Sequence, residues 1–304
     1  MTSFSVIGAG RVGTSLALAL TGKGWVLKVV ADRDPAAARE ARKAVGRGVA
    51  TADIRRAARG ADIVFVCVPD DAVKAVAGKL ARADAKWPGR VVFHTSGLLP
   101  AAALEPLRRK GAATASLHPV RSFPGKKDGG HLFRGIFWGL EGEGKAVRTG
   151  RAVARLLGGR AIVIKEKDKP LYHAACSLAS NALVSLESLA AALLESTGIE
   201  RKTAEAVLVP LVQGTLQNVK KIGLAGALTG PVSRGDVRTV REHLAALDPY
   251  PAQERIYVAL AKEAIRLIPG NRVPAGRIRA LKRLLEGKRP PLPDARRTSR
   301  RRVL

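Results

Sequence analysis

The sequence predicts an α/β fold in which a doubly wound, mostly parallel sheet occupies the first half and an all-helical second half follows. Three observations carry this. A glycine-rich turn, Gly8-Ala9-Gly10-Arg11-Val12-Gly13, stands between a short apolar run, Phe4 to Ile7, and a Leu/Ala-rich helical run, Thr14 to Thr21. Apolar runs such as Ala61 to Val68 are continuous, as parallel strands covered on both faces require. Past Lys165 no strand signal returns and helical patterns take over.

A G-x-G-x-x-G between a strand and a helix is the Rossmann-type dinucleotide fingerprint. Gly8 permits the tight turn, Gly10 lets the backbone approach a pyrophosphate, and Gly13 lets helix and strand pack closely. The pyrophosphate would sit on the turn, Gly8, Ala9, Gly10, Arg11, Val12 and Gly13, where free N–H groups and the helix dipole favour negative charge. Val26 to Ala31 reads as the second strand and ends at Asp32, placed to accept ribose hydroxyls and favour NAD. Arg33 follows at once, and either it or Arg11 could hold a 2′-phosphate and favour NADP. The expected cofactor is NAD(P)H, with NAD and NADP both open.

Pro35 opens a helix over 36–45. A short strand near 48–51 and a helix over 53–59 lead to the apolar run ending at Val68-Pro69, expected to lie over the nicotinamide half of the cofactor. Asp70 or Asp71 caps a helix over 72–83. A strand from Arg90 to His94 is followed by Thr95-Ser96, also placed on the cofactor edge, then a helix over 101–110 and a strand over 112–117 ending at His118. Ligands of open α/β folds collect at the carboxyl ends of the strands, so His94, Ser96 and His118 are expected to line a substrate cleft. Ile136 to Leu140, a helix over 145–157 and Ala161 to Ile164 complete about eight strands. The expected division is a nucleotide-binding domain over 1–166, a helical substrate and dimerisation domain over 167–287, and a basic disordered tail over 288–304.

Lys167 to Thr197 reads as one long helix. On it Lys169, His173, Ser177 and Asn181 recur every four residues along one face, a polar stripe that is costly to bury unless something pairs with it. Further helices are expected over 202–219, 237–246, 252–268 and 277–286. Between them the loop from Ala227 to Asp236 displays Arg234, whose guanidinium could clamp a carboxylate or pair with Asp236.

Composition narrows the classes. The apolar fraction is 46%, enough for well-buried cores. No signal peptide is expected, nor a run near the roughly 20 apolar residues that span a bilayer. Cys67 and Cys176 lack C-x-x-C spacing and read as buried thiols of a cytoplasmic protein. No two of the five histidines stand at i, i+4, so no metal site is expected. Lys and Arg total 53 against 25 acids, a net charge of +28. That excess suits anionic dinucleotides and carboxylates, and nucleic-acid binding is expected only non-specifically, through the tail.

The motifs GAGRVG, ADIVFVCVPDDA, HTSG, SLHPVRSF, YHAACSLASN and LTGPVSRGD occur in this order. Over about residues 3 to 286 the chain resembles a two-domain oxidoreductase family that joins a Rossmann-like domain to a helical domain of unknown function (number 2520). More distantly it resembles pyrroline-5-carboxylate reductase, ketopantoate reductase and the β-hydroxyacid dehydrogenases, whose helical domain is of the 6-phosphogluconate-dehydrogenase type. The resemblance implies hydride transfer between NAD(P)H and a small 2-oxo or imino acid, ketopantoate being the named candidate, and a homodimer built on the helical halves. Ketopantoate reductases and β-hydroxyacid dehydrogenases carry a Lys and an Asn one turn apart on the first helix of the second domain. Asn181 fits the Asn, but Ser177 stands one turn earlier and the nearest basic residues are His173 and Lys169, so either the proton donor moves to His173, with His118 the second choice, or the chain performs different chemistry. Asn181 and Ser177 would orient the carbonyl. The departure also leaves open a nucleotide-binding sensor without catalysis.

Overall fold

The computed structural model describes residues 1–125, 130–270 and 272–287. The expected basic tail, 288–304, lies outside the described residues. The first half is an eight-stranded sheet in the order β3-β2-β1-β4-β5-β6-β7-β8. Its strands are β1 (Ser3–Ile7), β2 (Val26–Ala31), β3 (Val49–Thr51), β4 (Ile63–Val66), β5 (Val91–His94), β6 (Ala113–Pro119), β7 (Phe137–Gly142) and β8 (Arg160–Val163). All neighbouring pairs run parallel except β6 with β7. The strand order reverses between β1 and β4, and a ligand crevice of an open α/β sheet belongs at that point, beyond the strands' carboxyl ends.

Helices α1 (Arg11–Gly22), α2 (Pro35–Val45), α3 (Asp70–Ala81), the single turn α4 (Glu105–Arg108) and α5 (Gly144–Leu156) connect the strands. Apolar side chains from both sheet faces form two separate cores. One gathers Phe4, Phe65, Phe93 and Trp138 with α1 and α5, and the other Val64, Val92 and Trp87 with α3 and α4. That double burial explains the continuous apolar strands. Two expected helices are smaller than their patterns: 53–59 is a 3-10 segment, Ile54–Ala58, and 101–110 is a 3-10 turn, Ala101–Leu104, joined to α4. In the second, Pro106 removes a backbone donor that a continuous helix over 101–110 would need.

The long helix begins with a 3-10 turn, Glu166–Asp168, and continues as α6 (Lys169–Ser177), a π turn (Leu178–Ala182) and α7 (Leu183–Glu195). Against expectation, Glu166–Glu195 is long and apolar enough, by length and composition, to cross a membrane. The polar stripe contributes uncharged Ser and Asn, and past His173 the only charge before Glu195 is Glu187. Compactness divides the chain at Leu183/Val184, so α6 stays with the sheet and the helical unit starts inside the long helix. In that second unit α8 (Arg201–Ala227) runs further than its pattern, with Gly223 at φ 72° breaking it. The loop before Asp236 holds a short helix, α9 (Pro231–Arg234). Then α10 (Val237–Leu247), α11 (Pro251–Leu267) and α12 (Ala275–Leu285) pack around Val240, Leu244, Ile265 and Leu281.

Candidate functional site

The glycine turn builds the first half of the site. Gly8 sits at φ 97°, and a Cβ there would lie 2.3 Å from the Cys67 carbonyl oxygen; one on Gly13 would lie 1.9 Å from the Gly8 carbonyl oxygen. A Cβ on Gly10, by contrast, meets nothing within 4 Å. Two glycines are therefore demanded by the fold, while the third keeps open a space that the fold leaves empty. The first turn of α1, Arg11 to Gly13, supplies N–H groups without intrahelical acceptors. The Ala9 N–H is not among the free donors, because it donates to Asp32 Oδ2 at 2.7 Å. Asp32 also accepts the Asp34 N–H through Oδ1 at 2.9 Å, so it braces the turn as well as edging the crevice. Arg11 reaches towards the Phe123 carbonyl at 3.4 Å.

From this turn a cleft of about 1010 Å³ runs along Gly8, Gly10, Asp32, Arg33, Val68 and Pro69. Arg55, Lys79 and Arg82 add positive charge to its wall. An extended dianion with an adenosine end fits this lining: bare backbone at Gly10, a helix N-terminus, and Asp32 beside Arg33. Cys67 lines it too, but burial pushes its thiol up to about 12, so it is no nucleophile.

The second half gathers where β5 and β6 end. His94 is completely buried, its Nδ1 accepting the Ser96 N–H at 3.2 Å and its Nε2 bonding the Pro100 carbonyl at 3.0 Å. Both nitrogens are spent on backbone, which corrects the expectation that His94 lines a substrate cleft: it fastens the Thr95-Ser96-Gly97 loop. Ser96 is corrected likewise. Its Oγ accepts the Leu98 and Leu99 N–H groups at 3.1 and 2.9 Å, and the side chain is buried.

His118 and His173 come together instead. Their ring centroids are 6.2 Å apart, and Gly97 is the floor between them: a Cβ there would lie 2.6 Å from His173 Cδ2 and 3.0 Å from His118 Cε1. His118 Nδ1 is 2.8 Å from the Tyr172 hydroxyl. Below them Lys169, 1% exposed, donates to Ser116 Oγ at 2.7 Å, and Ser116 donates to the Ser96 carbonyl at 2.9 Å. Burial lowers the Lys169 ammonium's pKa, while the charges of Glu141 and Asp70 act to keep it protonated. Burial likewise raises Glu141, which accepts the Ala101 N–H at 2.5 Å. Of the polar stripe, Lys169 is inside, His173 and Ser177 are half-buried and Asn181 is exposed, because the π turn rotates the helix face. Lys169 and His173, not Ser177 and Asn181, thus supply a basic residue and a polar partner one turn apart. Arg234 belongs to the second unit, exposed on α9, while Asp236 is occupied capping α10 through Thr239. The sequence reading missed Tyr172, Ser116, Glu141, Gly97 and Gly139.

His94 and His118 are held neutral. Burial, aided by the Lys169 charge, pushes His94 down to about 4; burial, His173 and Lys169 do the same to His118. A histidine near 6.5 when unfolded and near 4 when folded takes up its proton on unfolding, so stability rises with pH between those values. We expect melting of the protein to be flat above pH 7 and to weaken from pH 6.5 down to pH 4, by about 3 kcal/mol for fully buried His94 alone. Urea unfolding at half-unit pH steps checks this. A midpoint that stays level down to pH 4.5 would remove the neutral-histidine account.

Comparison with known proteins agrees with this architecture. A Rossmann-like domain model matches residues 2–119, and the model "Domain of unknown function (DUF2520)" matches residues 136–264. Among solved structures, protein TM1727 from Thermotoga maritima is 27% identical, covering 87% of this chain and 97% of that one at a TM-score of 0.70. Protein BF3122 from Bacteroides fragilis is 24% identical, covering 86% and 97% at 0.69. A pyrroline-5-carboxylate reductase from Coxiella burnetii shares the fold at 16% identity, 94% and 97% coverage and a TM-score of 0.57. No curated protein matches the chain.

Proposed function

We propose that this two-domain protein, a Rossmann-like domain joined to a DUF2520 domain, is a cytoplasmic NAD(P)H-dependent reductase of a small 2-oxo or imino acid. The observation that carries the reading is the pairing of an open glycine turn with a cluster of two imidazoles and a phenol at the carboxyl ends of neighbouring strands of one sheet. When bound, the nicotinamide supplies the hydride. The chain holds the pyrophosphate on the first turn of α1 and the adenosine end at Asp32 and Arg33. Thr95 and Pro69 flank the nicotinamide side. His173 delivers the proton to the developing alkoxide or amine. His118, neutral, holds the carbonyl or imine by a hydrogen bond, and the half-buried Ser177 adds to the polar lining. Lys169 stays in place under the loop, bonded to Ser116, where Glu141 and Asp70 favour its charged form.

A second copy of the chain completes the assembly in this reading. Val207, Val209, Leu211, Leu216, Ile222 and Leu224 are each more than half exposed along α8. Apolar side chains exposed around so much of one helix call for cover, and a homodimer through the helical unit supplies it.

The test is a melt with and without saturating NADH and NADPH, followed by a turnover screen of 2-oxo acids and cyclic imines, ketopantoate first. At about 100 times its dissociation constant a cofactor adds roughly 2.7 kcal/mol, several degrees of melting temperature. We expect a shift with at least one cofactor, cofactor oxidation with at least one acid, and a solution mass of twice 32.1 kDa. A shift without turnover of any acid points to a nucleotide sensor. No shift with either cofactor ends the reductase reading.

A further inference from the structure

His118 on β6 stands opposite Gly139 on β7 in the antiparallel register. Any side chain at 139 would fill the space beside the imidazole: a Cβ there would lie 2.2 Å from the Tyr172 hydroxyl oxygen and 2.6 Å from the ring carbon that carries it. The missing side chain is a slot, and Tyr172, reaching in from α6, occupies it with its hydroxyl 2.8 Å from His118 Nδ1. A glycine inside a strand weakens it unless something approaches closely there. Gly97 makes room for the same imidazole on its other side. The ring is fixed by contacts at Gly97, by Tyr172 edge-on with centroids 5.7 Å apart, and by His173.

We propose that Tyr172 is a positioning residue: it donates its hydroxyl proton to His118 Nδ1 and so confines the neutral imidazole to the tautomer that carries its proton on Nε2, the N–H that then binds the substrate's carbonyl oxygen or imine nitrogen. This deepens the reductase reading and rests on it for the identity of the acceptor.

The hydrogen-bond inventory gives the direction. A neutral imidazole has one donor and one acceptor nitrogen, and which is which follows from the partner of the other. The phenol has one proton and two neighbours that could take it, His118 Nδ1 and the Cys176 thiol one turn along α6. An imidazole nitrogen is a far better acceptor than sulfur. The groups facing this pair set its protonation. Burial and Cys176 hold the Tyr172 phenol above its ordinary range, so it keeps its proton. Burial, His173 and Lys169 hold His118 neutral, against a weaker opposite pull from Asp70. No described residue bonds His118 Nε2, which leaves that N–H for a ligand.

The experiment is nitrogen-15 NMR of histidine-labelled full-length protein at pH 7, with His118 assigned by its absence from a His118→Asn sample. The expected result is a protonated Nε2 and an unprotonated Nδ1. In Tyr172→Phe, which keeps the ring on Gly139, both nitrogens move to the averaged values of mixed tautomers. Gly139→Ala pushes the hydroxyl out of its slot while leaving it on the chain, and gives the same averaging. A wild-type His118 protonated on Nδ1, or a spectrum unchanged in both variants, overturns the proposal. None of this depends on turnover, so it stands or falls apart from the reductase reading. Where turnover is found, Tyr172→Phe lowers kcat about tenfold with KM for the acid within threefold. The same tautomer loss with an unchanged kcat would overturn the positioning role.

Discussion

Gly10→Ala should abolish cofactor binding and leave the fold alone, while Gly13→Ala should do the reverse damage first. Both are single methyl additions within one turn. The Gly10 methyl enters space in which the protein has no atom within 4 Å, at φ −73° and ψ −167°, extended backbone that alanine adopts freely. Its cost to stability is therefore that of a poorer N-cap, a few tenths of a kcal/mol to about 1. The same methyl occupies the ground on which a pyrophosphate must rest, so affinity for NADH or NADPH should drop at least about fiftyfold, or roughly 2.4 kcal/mol at 1.4 per decade. At Gly13 the methyl overlaps the Gly8 carbonyl at 1.9 Å and crowds Val6 and Cys67. Backbone cannot step aside as a flexible side chain does, so a loss of more than about 3 kcal/mol is expected. Calorimetric titration of each variant with both cofactors, beside its thermal melt, checks the pair. If Gly10→Ala binds cofactor like the parent, the turn is structural and the crevice serves another ligand.

The contrast shows what was legible in the sequence. The central strands were, because they are buried on two faces and therefore written as apolar runs, Ile63 to Val66 being the plainest, whereas the edge strands β3 and β8 are largely exposed and rest on shorter patterns. Short helices were less so: Ile54–Ala58 and Ala101–Leu104 carry helical composition but stay in 3-10 turns, a tertiary outcome that composition does not encode. At the site the nucleotide half was readable because glycine spacing is a local constraint. The other half was not. Tyr172 lies 54 residues from His118, and only the antiparallel pairing of β6 with β7 puts Gly139 between them. A glycine inside an otherwise bulky strand was the available signal. His94 misled for the complementary reason. A strand-end histidine looks the same in sequence whether it faces a ligand or, as here, locks the following loop to Pro100.

Replacing His173 by alanine should separate the two imidazoles' roles and cost activity most. Position 173 is half-buried, so truncation removes the ring without opening a closed core. General acids of this kind contribute about 10²–10⁴ in rate, and we expect kcat to fall by that factor with cofactor affinity unchanged. The neighbouring ring cannot take over. His173 is only the second cause of His118's low value, behind burial and ahead of Lys169. Its loss lets His118 rise, but the remaining two causes keep it neutral at pH 7. Whatever pH dependence kcat owes to its proton donor should therefore vanish from His173→Ala rather than shift. His118→Asn behaves differently: the pH profile keeps its shape while kcat drops throughout, because the donor is intact and the substrate is held less well. If the profiles are exchanged, so that removing His118 flattens the curve and removing His173 merely lowers it, then His118 is the acid. The proton would then travel through Nε2 of the ring that Tyr172 holds.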